Sequence, residues 1–178
     1  MKKVGILALQ GAFIAHKNML KKFTNVEIQL VRYTTDLTNL DAMILPGGES
    51  SVIYNLLKKH SLLEVLKTKL QTIPVLATCA GMILLQKLNL VDIKIQLNGY
   101  GHQIASKVIK IPSPFMQGKF ITGMLIRAPI VTEIYDTNIK VLSLHNNIPI
   151  LLCKDNLLLS SFHTELTNDN CLHKRLIS

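Results

Sequence analysis

The chain has 178 residues, of which 48% are hydrophobic, and carries a formal net charge of +9. This length predicts one domain over residues 1–178, and the apolar content predicts a continuous core and excludes intrinsic disorder. No segment supplies the roughly 18 consecutive apolar residues that a membrane-spanning helix requires. The basic residues are scattered in small groups without interleaved aromatic residues, so a solvated surface explains the charge better than nucleic-acid binding does.

The cysteines indicate a reducing environment. Three cysteines (Cys79, Cys153 and Cys171) form an odd set without a CxxC pair, which argues against a disulfide framework and against a zinc site. The basic and apolar start of the chain is too short for a signal peptide and ends in Gln10 and Gly11. We therefore expect a cytoplasmic protein without a bound metal or cofactor.

Strand and helix patterns alternate through the first half of the chain. Strands are predicted at residues 4–9, 26–30, 41–45 and 74–78, and a helix at residues 12–23. Another helical stretch ends near Lys59, and Ser61 with Glu64 forms the pattern of a capping box that opens a helix to about Leu70. This alternation predicts a mostly parallel sheet with helices on both faces.

The second half is richer in strands. Short β-type segments lie at residues 91–97, 104–111, 120–126, 140–144, 148–153 and 157–162, and a last helix is expected from about residue 167. No linker or repeat separates the two halves. The sequence therefore predicts a single α/β domain with a mostly parallel central sheet, flanking helices and a β-rich C-terminal half.

Cys79 lies where the predicted strand 74–78 meets a helix. Small residues follow it, Ala80 and Gly81, as in the sharp turn that lifts a nucleophile above the edge of a sheet. The helix N-terminus favours a thiolate over a thiol. The pattern indicates a nucleophilic cysteine, although a buried core cysteine fits this segment equally well.

A cysteine nucleophile needs a proton acceptor and a group that orients it. His163 and Glu165 follow the strand 157–162 and leave it on the same side, so the acid can hold the imidazole in the tautomer that accepts a proton from sulfur. Taken alone, a His-x-Glu sequence is typical of a solvated loop. Its significance comes from the pairing with Cys79.

Two consecutive glycines, Gly47 and Gly48, end the strand 41–45. Glycines let backbone N–H groups approach a ligand closely, and a helix begins just after them, so this segment is suited to stabilising an oxyanion or binding phosphate. A plain tight turn is the alternative. Neither dinucleotide nor P-loop glycine patterns are present.

Five segments of the chain resemble one enzyme family. They are GILALQGA (5–12), LPGGESS (45–51), TCAGM (78–82), IRAP (126–129) and SFHTELT (161–167). They resemble class I, or triad, glutamine amidotransferases, and most closely the glutaminase subunits of pyridoxal 5′-phosphate synthases. The general class shares only the cysteine turn and the His-x-Glu, whereas the LQGA, PGGES and IRAP segments are specific to those subunits. The resemblance covers almost the whole chain.

The resemblance implies hydrolysis of L-glutamine to glutamate and ammonia. In it Cys79 is the nucleophile that forms a glutamyl thioester, His163 relays protons and Glu165 orients His163. The backbone N–H groups of Gly48 and Ala80 match the oxyanion hole of the family. The residues that match its glutamine-binding segments are Gly47, Gly48, Glu49, Ile126 and Arg127.

The resemblance also implies a partner. Ammonia would pass to a separate, barrel-shaped synthase subunit that builds pyridoxal 5′-phosphate (vitamin B6), and activity would depend on that subunit. Gln10 lies near the subunit junction of the family. His102 stands where the family has an arginine that contacts the substrate, which predicts weaker glutamine binding and a raised KM, because a histidine lacks the bidentate, permanently charged fork.

Three other functions stay open. One is another class I amidotransferase, which the LQGA and IRAP segments disfavour. A second is a catalytically weakened scaffolding subunit of the same complex, which His102 and the short C-terminus favour and the intact Cys79, His163 and Glu165 oppose. Nucleic-acid binding, suggested by charge alone, is the weakest of them.

Overall fold

A central sheet runs through the protein, and its strands alternate with helices in the first half of the chain. The computed structural model describes residues 1–97, 99 and 106–178. The strands of this half are β1 (Lys2–Leu7), β2 (Val26–Val31), β3 (Ala42–Leu45) and β4 (Val75–Thr78). The helices are α1 (Phe13–Leu20), α2 (Ser50–Lys59), α3 (Leu63–Leu70) and α4 (Ala80–Lys87), with a 3₁₀ turn at Thr34–Leu37.

The second half consists mainly of strands. They are β5 (Ile93–Gln96), β6 (Lys107–Pro112), β7 (Phe120–Leu125), β8 (Ile130–Ile134), β9 (Lys140–His145), β10 (Ile148–Lys154) and β11 (Leu157–Ser160). A short helix, α5 (Cys171–Ile177), follows them. None of the described helices is long and apolar enough to cross a membrane.

Seven strands form the main sheet in the order β2-β1-β3-β4-β11-β10-β9. The pairs from β2 to β11 are parallel, and β10 and β9 are added antiparallel. Two antiparallel pairs, β5 with β8 and β6 with β7, form separate small sheets. The predicted fold class, a mostly parallel central sheet with a β-rich second half, is confirmed.

Alternate residues of the central strands enter two different cores. Met43 and Leu45 of β3 pack with α2, α3 and α4 on one face, whereas Ala42 and Ile44 pack with residues of α1 and α5 on the other. This is the two-residue period expected of strands that are buried on both faces. The sheet is therefore covered by helices on each side, as the alternation in the sequence predicts.

The capping box predicted at Ser61 and Glu64 is wrong. Ser61 has a φ of +55° and ends α2 rather than opening α3, which has no side-chain cap. Its N–H donates to the carbonyl of Lys58, and the N–H of Leu62 donates to that of Leu57. These two bonds form a Schellman motif, a helix C-terminus in which a left-handed residue satisfies the last carbonyls.

The start of the last helix and the presence of strand β8 also differ from the prediction. The last helix begins at Cys171 rather than near residue 167, because Asp169 accepts the N–H of Cys171 and Thr167 accepts that of Asp169, which holds the intervening chain in turns. Strand β8 was not predicted, since only Val131 in it is fully buried and its pattern does not alternate.

Candidate active site

Four chain segments meet at one edge of the main sheet. Because β1, β3, β4 and β11 are parallel, the loops that follow them leave the sheet on the same side. Leu45 pairs with Ala77 and Ser160 with Thr78, so β3, β4 and β11 end at the same level. This carboxyl edge is where ligands bind in open α/β sheets. The register therefore brings together Cys79, His163 and the loop that contains Gly47 and Gly48, called the glycine loop below.

Cys79 occupies a strained turn between β4 and α4. Its φ is +48° and its ψ is −106°, a conformation that a residue with a side chain rarely adopts. The backbone holds it there: the N–H of Cys79 donates to the carbonyl of Ser160 at 2.8 Å, and its carbonyl accepts from Met82 at 3.0 Å. A Cβ at Gly81 would lie 2.2 Å from the carbonyl oxygen of Leu45, so the helix after the turn requires glycine.

His163 and Glu165 follow β11 and are both almost completely buried. The backbone of His163 exchanges two hydrogen bonds of 2.9 Å with Met124 of β7, which fixes its position. Its Nδ1 lies 2.6 Å from Oε1 of Glu165. Nε2 is then the ring nitrogen left to face the sulfur of Cys79.

The surroundings of His163 and Glu165 favour a protonated imidazole beside an ionised carboxylate. Burial by itself lowers the pKa of His163, but the neighbouring Cys79 and the hydrogen-bonded Glu165 outweigh burial and raise that pKa to about 10. Burial likewise works against ionisation of Glu165, yet His16 and His163 hold the pKa of its carboxyl well below the usual range. Glu165 is therefore ionised, and His163 holds a proton at neutral pH.

The glycine loop is clamped against the start of α1 and the end of β4. The N–H of Gly47 donates to Oγ1 of Thr78 at 3.1 Å, and its carbonyl accepts the N–H of Ala12 at 2.9 Å. A Cβ at Gly47 would lie 2.4 Å from His163 Cε1. Next along the loop, the N–H of Glu49 donates to Oε1 of Gln10 at 2.9 Å. Gln10 therefore contacts the loop directly.

A cavity of about 470 Å³ opens above these groups. The predicted site residues that line it are Gly47, Gly48, Glu49, Cys79, Ala80, Ile126, Arg127 and His163. Glu165 lies behind His163, away from the cavity. Arg127, with a φ of +44°, is half exposed at the mouth, and its Nη1 lies 3.6 Å from Oε1 of Glu49. Pro129 and Leu166, from the IRAP and SFHTELT segments, also line the cavity, as do Ile83 and Leu97, which the sequence did not single out.

His102 lies outside the described residues, so its effect on glutamine binding stays a prediction. Within residues 1–97, 99 and 106–178, no group of three or more His, Cys, Asp and Glu side chains is arranged to hold a metal ion. The three cysteines are free thiols.

Three polar residues behind the site were missed from the sequence: His16, Thr78 and His173. All three are fully buried. His16 shares the buried face of α1 with Met19 and Leu20, so a polar residue in an apolar helical stripe was the available signal. No comparable signal distinguishes Thr78 from an ordinary strand residue.

Comparison with known proteins agrees with this geometry. Residues 6–178 match the SNO glutamine amidotransferase family. The chain is 42% identical over 179 residues to the pyridoxal 5′-phosphate synthase subunit PdxT of Francisella philomiragia, covering 98% of this chain and 97% of that protein. Identity to the Francisella tularensis subunit of the same name is 41% over 180 residues, covering 99% and 98%.

Solved structures give the same result. A crystal structure described as a glutamine amidotransferase superposes with a TM-score of 0.89 at 31% identity, covering 98% of this chain and 96% of that chain. A putative GMP synthase protein from Thermoplasma acidophilum superposes with a TM-score of 0.71 at 13% identity, covering 95% and 87%, which supports the fold alone. The protein thus belongs to the SNO glutamine amidotransferase family.

Proposed function

We propose that this protein hydrolyses L-glutamine to glutamate and ammonia and supplies the ammonia for synthesis of pyridoxal 5′-phosphate. The family and the names of its curated relatives support this function. The observation that carries it is the row formed by Cys79, His163 and Glu165, which runs from the base of an open cavity into the protein interior.

The first half of the reaction forms a thioester. The thiol proton of Cys79 passes to His163, the resulting thiolate attacks the side-chain amide carbon of glutamine, and the C=O electrons move onto the oxygen. His163, which holds a proton at neutral pH, donates that proton to the departing nitrogen. The C–N bond breaks as the carbonyl reforms, which leaves ammonia and a glutamyl thioester on Cys79.

The second half releases glutamate. His163, now neutral, accepts a proton from water while the water oxygen attacks the thioester, and the sulfur leaves. Glu165 keeps Nδ1 of His163 as the donor toward the carboxylate, so Nε2 is the nitrogen that exchanges protons. The same residue therefore acts as an acid in one step and as a base in the next.

The negatively charged oxygen of each tetrahedral intermediate needs N–H donors. We assign them to Gly48 and Ala80, which line the cavity beside Cys79. Ala80 is the first residue of α4, where backbone N–H groups have no partner within the helix. The N–H of Gly48 lies trans to the carbonyl that Ala12 binds, so it points away from α1.

The remaining lining residues are suited to holding the amino-acid end of glutamine. Glu49 carries the charge that an α-ammonium group requires, and Arg127 the charge that an α-carboxylate requires. Backbone groups of Gly47 and Ile126 complete the wall between them. We assign these residues to substrate binding.

The ammonia acceptor in this proposal is a barrel-shaped pyridoxal 5′-phosphate synthase subunit in a hetero-oligomer in the cytoplasm. Free thiols at all three cysteines suit a reducing compartment. Gln10 contacts the glycine loop through Glu49, so a partner that docks beside Gln10 has a direct route to the oxyanion donors. Two other functions, another class I amidotransferase or a scaffolding subunit with weak turnover, are tested together with this one.

The test is ammonia release from glutamine by the chain alone and with its cognate synthase subunit. We expect turnover that rises when the synthase is added and falls at least roughly 10³-fold in Cys79→Ala. Cys153→Ser is the matched control, because Cys153 lies in β10, remote from the cavity. A wild-type protein that binds the synthase but releases ammonia no faster than Cys79→Ala would indicate the scaffolding function instead. Turnover unaffected by the synthase would favour another amidotransferase.

A further inference from the structure

His16 is a buried histidine on α1 that the reaction above does not use. Its side chain is fully enclosed, and both ring nitrogens have polar neighbours. Nε2 lies 3.2 Å from Oε1 of Glu165 and 3.2 Å from Oγ1 of Thr78. Nδ1 lies 2.9 Å from Nε2 of His173 on α5. Burying an imidazole is costly unless its nitrogens are hydrogen-bonded, so these contacts define one preferred orientation of the ring.

The carboxylate determines which nitrogen of His16 carries a proton. An ionised carboxylate only accepts hydrogen bonds, so Nε2 of His16 must be the donor to Glu165. The other ring nitrogen of His16, Nδ1, contacts Nε2 of His173. Burial and the neighbouring His16 lower the pKa of His173 to about 3, so His173 is neutral. Oε1 of Glu165 therefore accepts from two imidazoles, His163 at 2.6 Å and His16 at 3.2 Å.

The second carboxylate oxygen of Glu165, Oε2, does not help to hold the carboxylate in place. Oε2 of Glu165 is buried and has no hydrogen-bond partner within the part of the chain that the structure describes. The contacts at Oε1 are thus the ones that fix the rotation of the carboxylate. If His16 were absent, His163 would be the one hydrogen-bond partner left to the Glu165 carboxylate within the described part of the chain.

The same contacts connect Glu165 with the glycine loop. Thr78, which His16 touches, accepts the N–H of Gly47. One turn before His16, Ala12 binds the carbonyl of Gly47, and the N–H of His16 donates to the carbonyl of Ala12 at 3.3 Å. Helix α1 therefore contacts the glycine loop at its first turn and the orienting acid one turn later.

We propose that His16 is a positioning residue for glutamine hydrolysis: its Nε2–H holds Oε1 of Glu165 so that the carboxylate stays aligned with Nδ1 of His163. This inference rests on the proposed function. His16 does not line the cavity, so it acts on the reaction through the side chains that it contacts, and in this proposal through Glu165.

Two substitutions separate positioning from packing. In His16→Gln the side-chain amide nitrogen reaches the place of Nε2 and can still donate to Glu165. In His16→Asn the shorter amide reaches only the place of Nδ1, so it keeps a partner for His173 and loses the donor to Glu165. Both variants keep a polar group in the pocket, and thermal unfolding shows whether each is folded.

The assay is glutamine hydrolysis in the complex with the synthase subunit. We expect His16→Asn to lower kcat roughly 10- to 100-fold, because a small misalignment of a catalytic base has effects of this size. KM should stay within about twofold, since His16 does not contact the substrate. His16→Gln should retain a kcat at least about fivefold higher than that of His16→Asn. Values of kcat within fivefold of one another in the two variants would overturn the proposal.

A second measurement does not depend on turnover. The short hydrogen bond between His163 and Glu165 should give a low-field proton resonance from Nδ1–H, which His16→Gln keeps and His16→Asn shifts or broadens. If His16→Asn does not fold, loss of the resonance in folded His16→Gln overturns the proposal and its retention supports it. A wild-type complex that releases no ammonia but shows this pattern would contradict the proposed function and leave the positioning role of His16 intact.

Discussion

On one face of the main sheet, α2, α3 and α4 cover the strands with apolar side chains, whereas on the other face α1 and α5 enclose buried polar groups. Each central strand contributes alternate side chains to the two faces. In β4, Val75 and Ala77 enter the apolar core of α2–α4, while Leu76 belongs to the opposite core and Thr78 contacts His16 there. Within the described residues, α2, α3 and α4 contain no buried polar side chain.

The comparison shows that buried polar side chains are concentrated on the α1–α5 face, next to the candidate site. His16, His173 and Glu165 are each at least nine-tenths buried, and burial of such groups is costly unless hydrogen bonds compensate. They lie directly behind Cys79 and His163 at the carboxyl edge. We expect the apolar α2–α4 face to contribute most to stability, and the buried polar groups of the α1–α5 face to position Glu165 and His163.

The largest effect should come from Glu165→Gln. An amide at this position can still accept from both imidazoles through its oxygen, but it carries no negative charge, so the protonated form of His163 loses the charge that stabilises it. We expect kcat to fall on the order of 10³- to 10⁴-fold. Steady-state kinetics of the complex measure this change.

Glu133→Gln is the matched control for that substitution. Glu133 is an exposed acid paired with Lys94 and remote from the cavity, so activity should not change. A loss of less than about tenfold in Glu165→Gln would mean that the carboxylate does not orient the reaction.

The next effect is on stability. Leu66 of α3 is fully buried in the apolar core of the α2–α4 face, so Leu66→Ala should lower the free energy of unfolding by about 2–5 kcal/mol. Val65, its neighbour on the same helix, is 46% exposed, and Val65→Ala should change stability by about 0.5 kcal/mol or less. Urea unfolding measures both. Equal losses in the two variants would contradict the assignment of this face to stability.

Acidification should destabilise the α1–α5 face through His173. Its pKa is about 3 in the folded protein against an ordinary 6.5, so the unfolded chain binds a proton first as the pH falls. The contribution is fully present above pH 6.5 and is lost as the pH falls toward 3, with a slope of up to about 1.4 kcal/mol per pH unit.

His173→Gln removes this titration and leaves an amide for His16. Its free energy of unfolding should therefore decline less steeply than that of the wild type between pH 6.5 and pH 5, measured by urea titration at several pH values. Parallel pH profiles for the two proteins would show that His173 is not held neutral by burial.

The smallest effect is a gain in stability at the end of α2. Ser61 has a left-handed backbone, which favours glycine, so Ser61→Gly should raise the free energy of unfolding by about 0.5–1 kcal/mol. Asn89 occupies the corresponding position after α4, with a φ of +55°. Because asparagine tolerates this conformation better than serine, Asn89→Gly should have a smaller effect. Destabilisation by Ser61→Gly would contradict the Schellman motif.

Much of the fold and most of the candidate site could be predicted because their signals are local. Strand and helix periods lie within short windows, and parallel topology carries separate strand ends to one edge. Gly47, Cys79 and His163, which lie far apart in the chain, could therefore be placed together before any contact was known. The small residues after Cys79 and the glycines after β3 carry this information in the sequence itself.

The part that could not be predicted depends on tertiary contacts. His16 and His173 are separated by 157 positions, and nothing in either segment indicates that Nδ1 of His16 lies 2.9 Å from Nε2 of His173. The capping box at Ser61 failed for a related reason. A serine followed by a glutamate three residues later fits a helix start, but the backbone of the preceding helix determined the conformation of Ser61.

The most direct test of the account is covalent labelling of the assembled complex by a glutamine-analogue electrophile, with the site mapped by peptide mass spectrometry. Burial raises the pKa of the Cys171 thiol, and Cys153 lies in an apolar strand, so neither is expected to react. The account predicts one label per chain, on Cys79, and none in Cys79→Ser. Labelling that persists undiminished in Cys79→Ser, or that falls on Cys153 or Cys171, would contradict it.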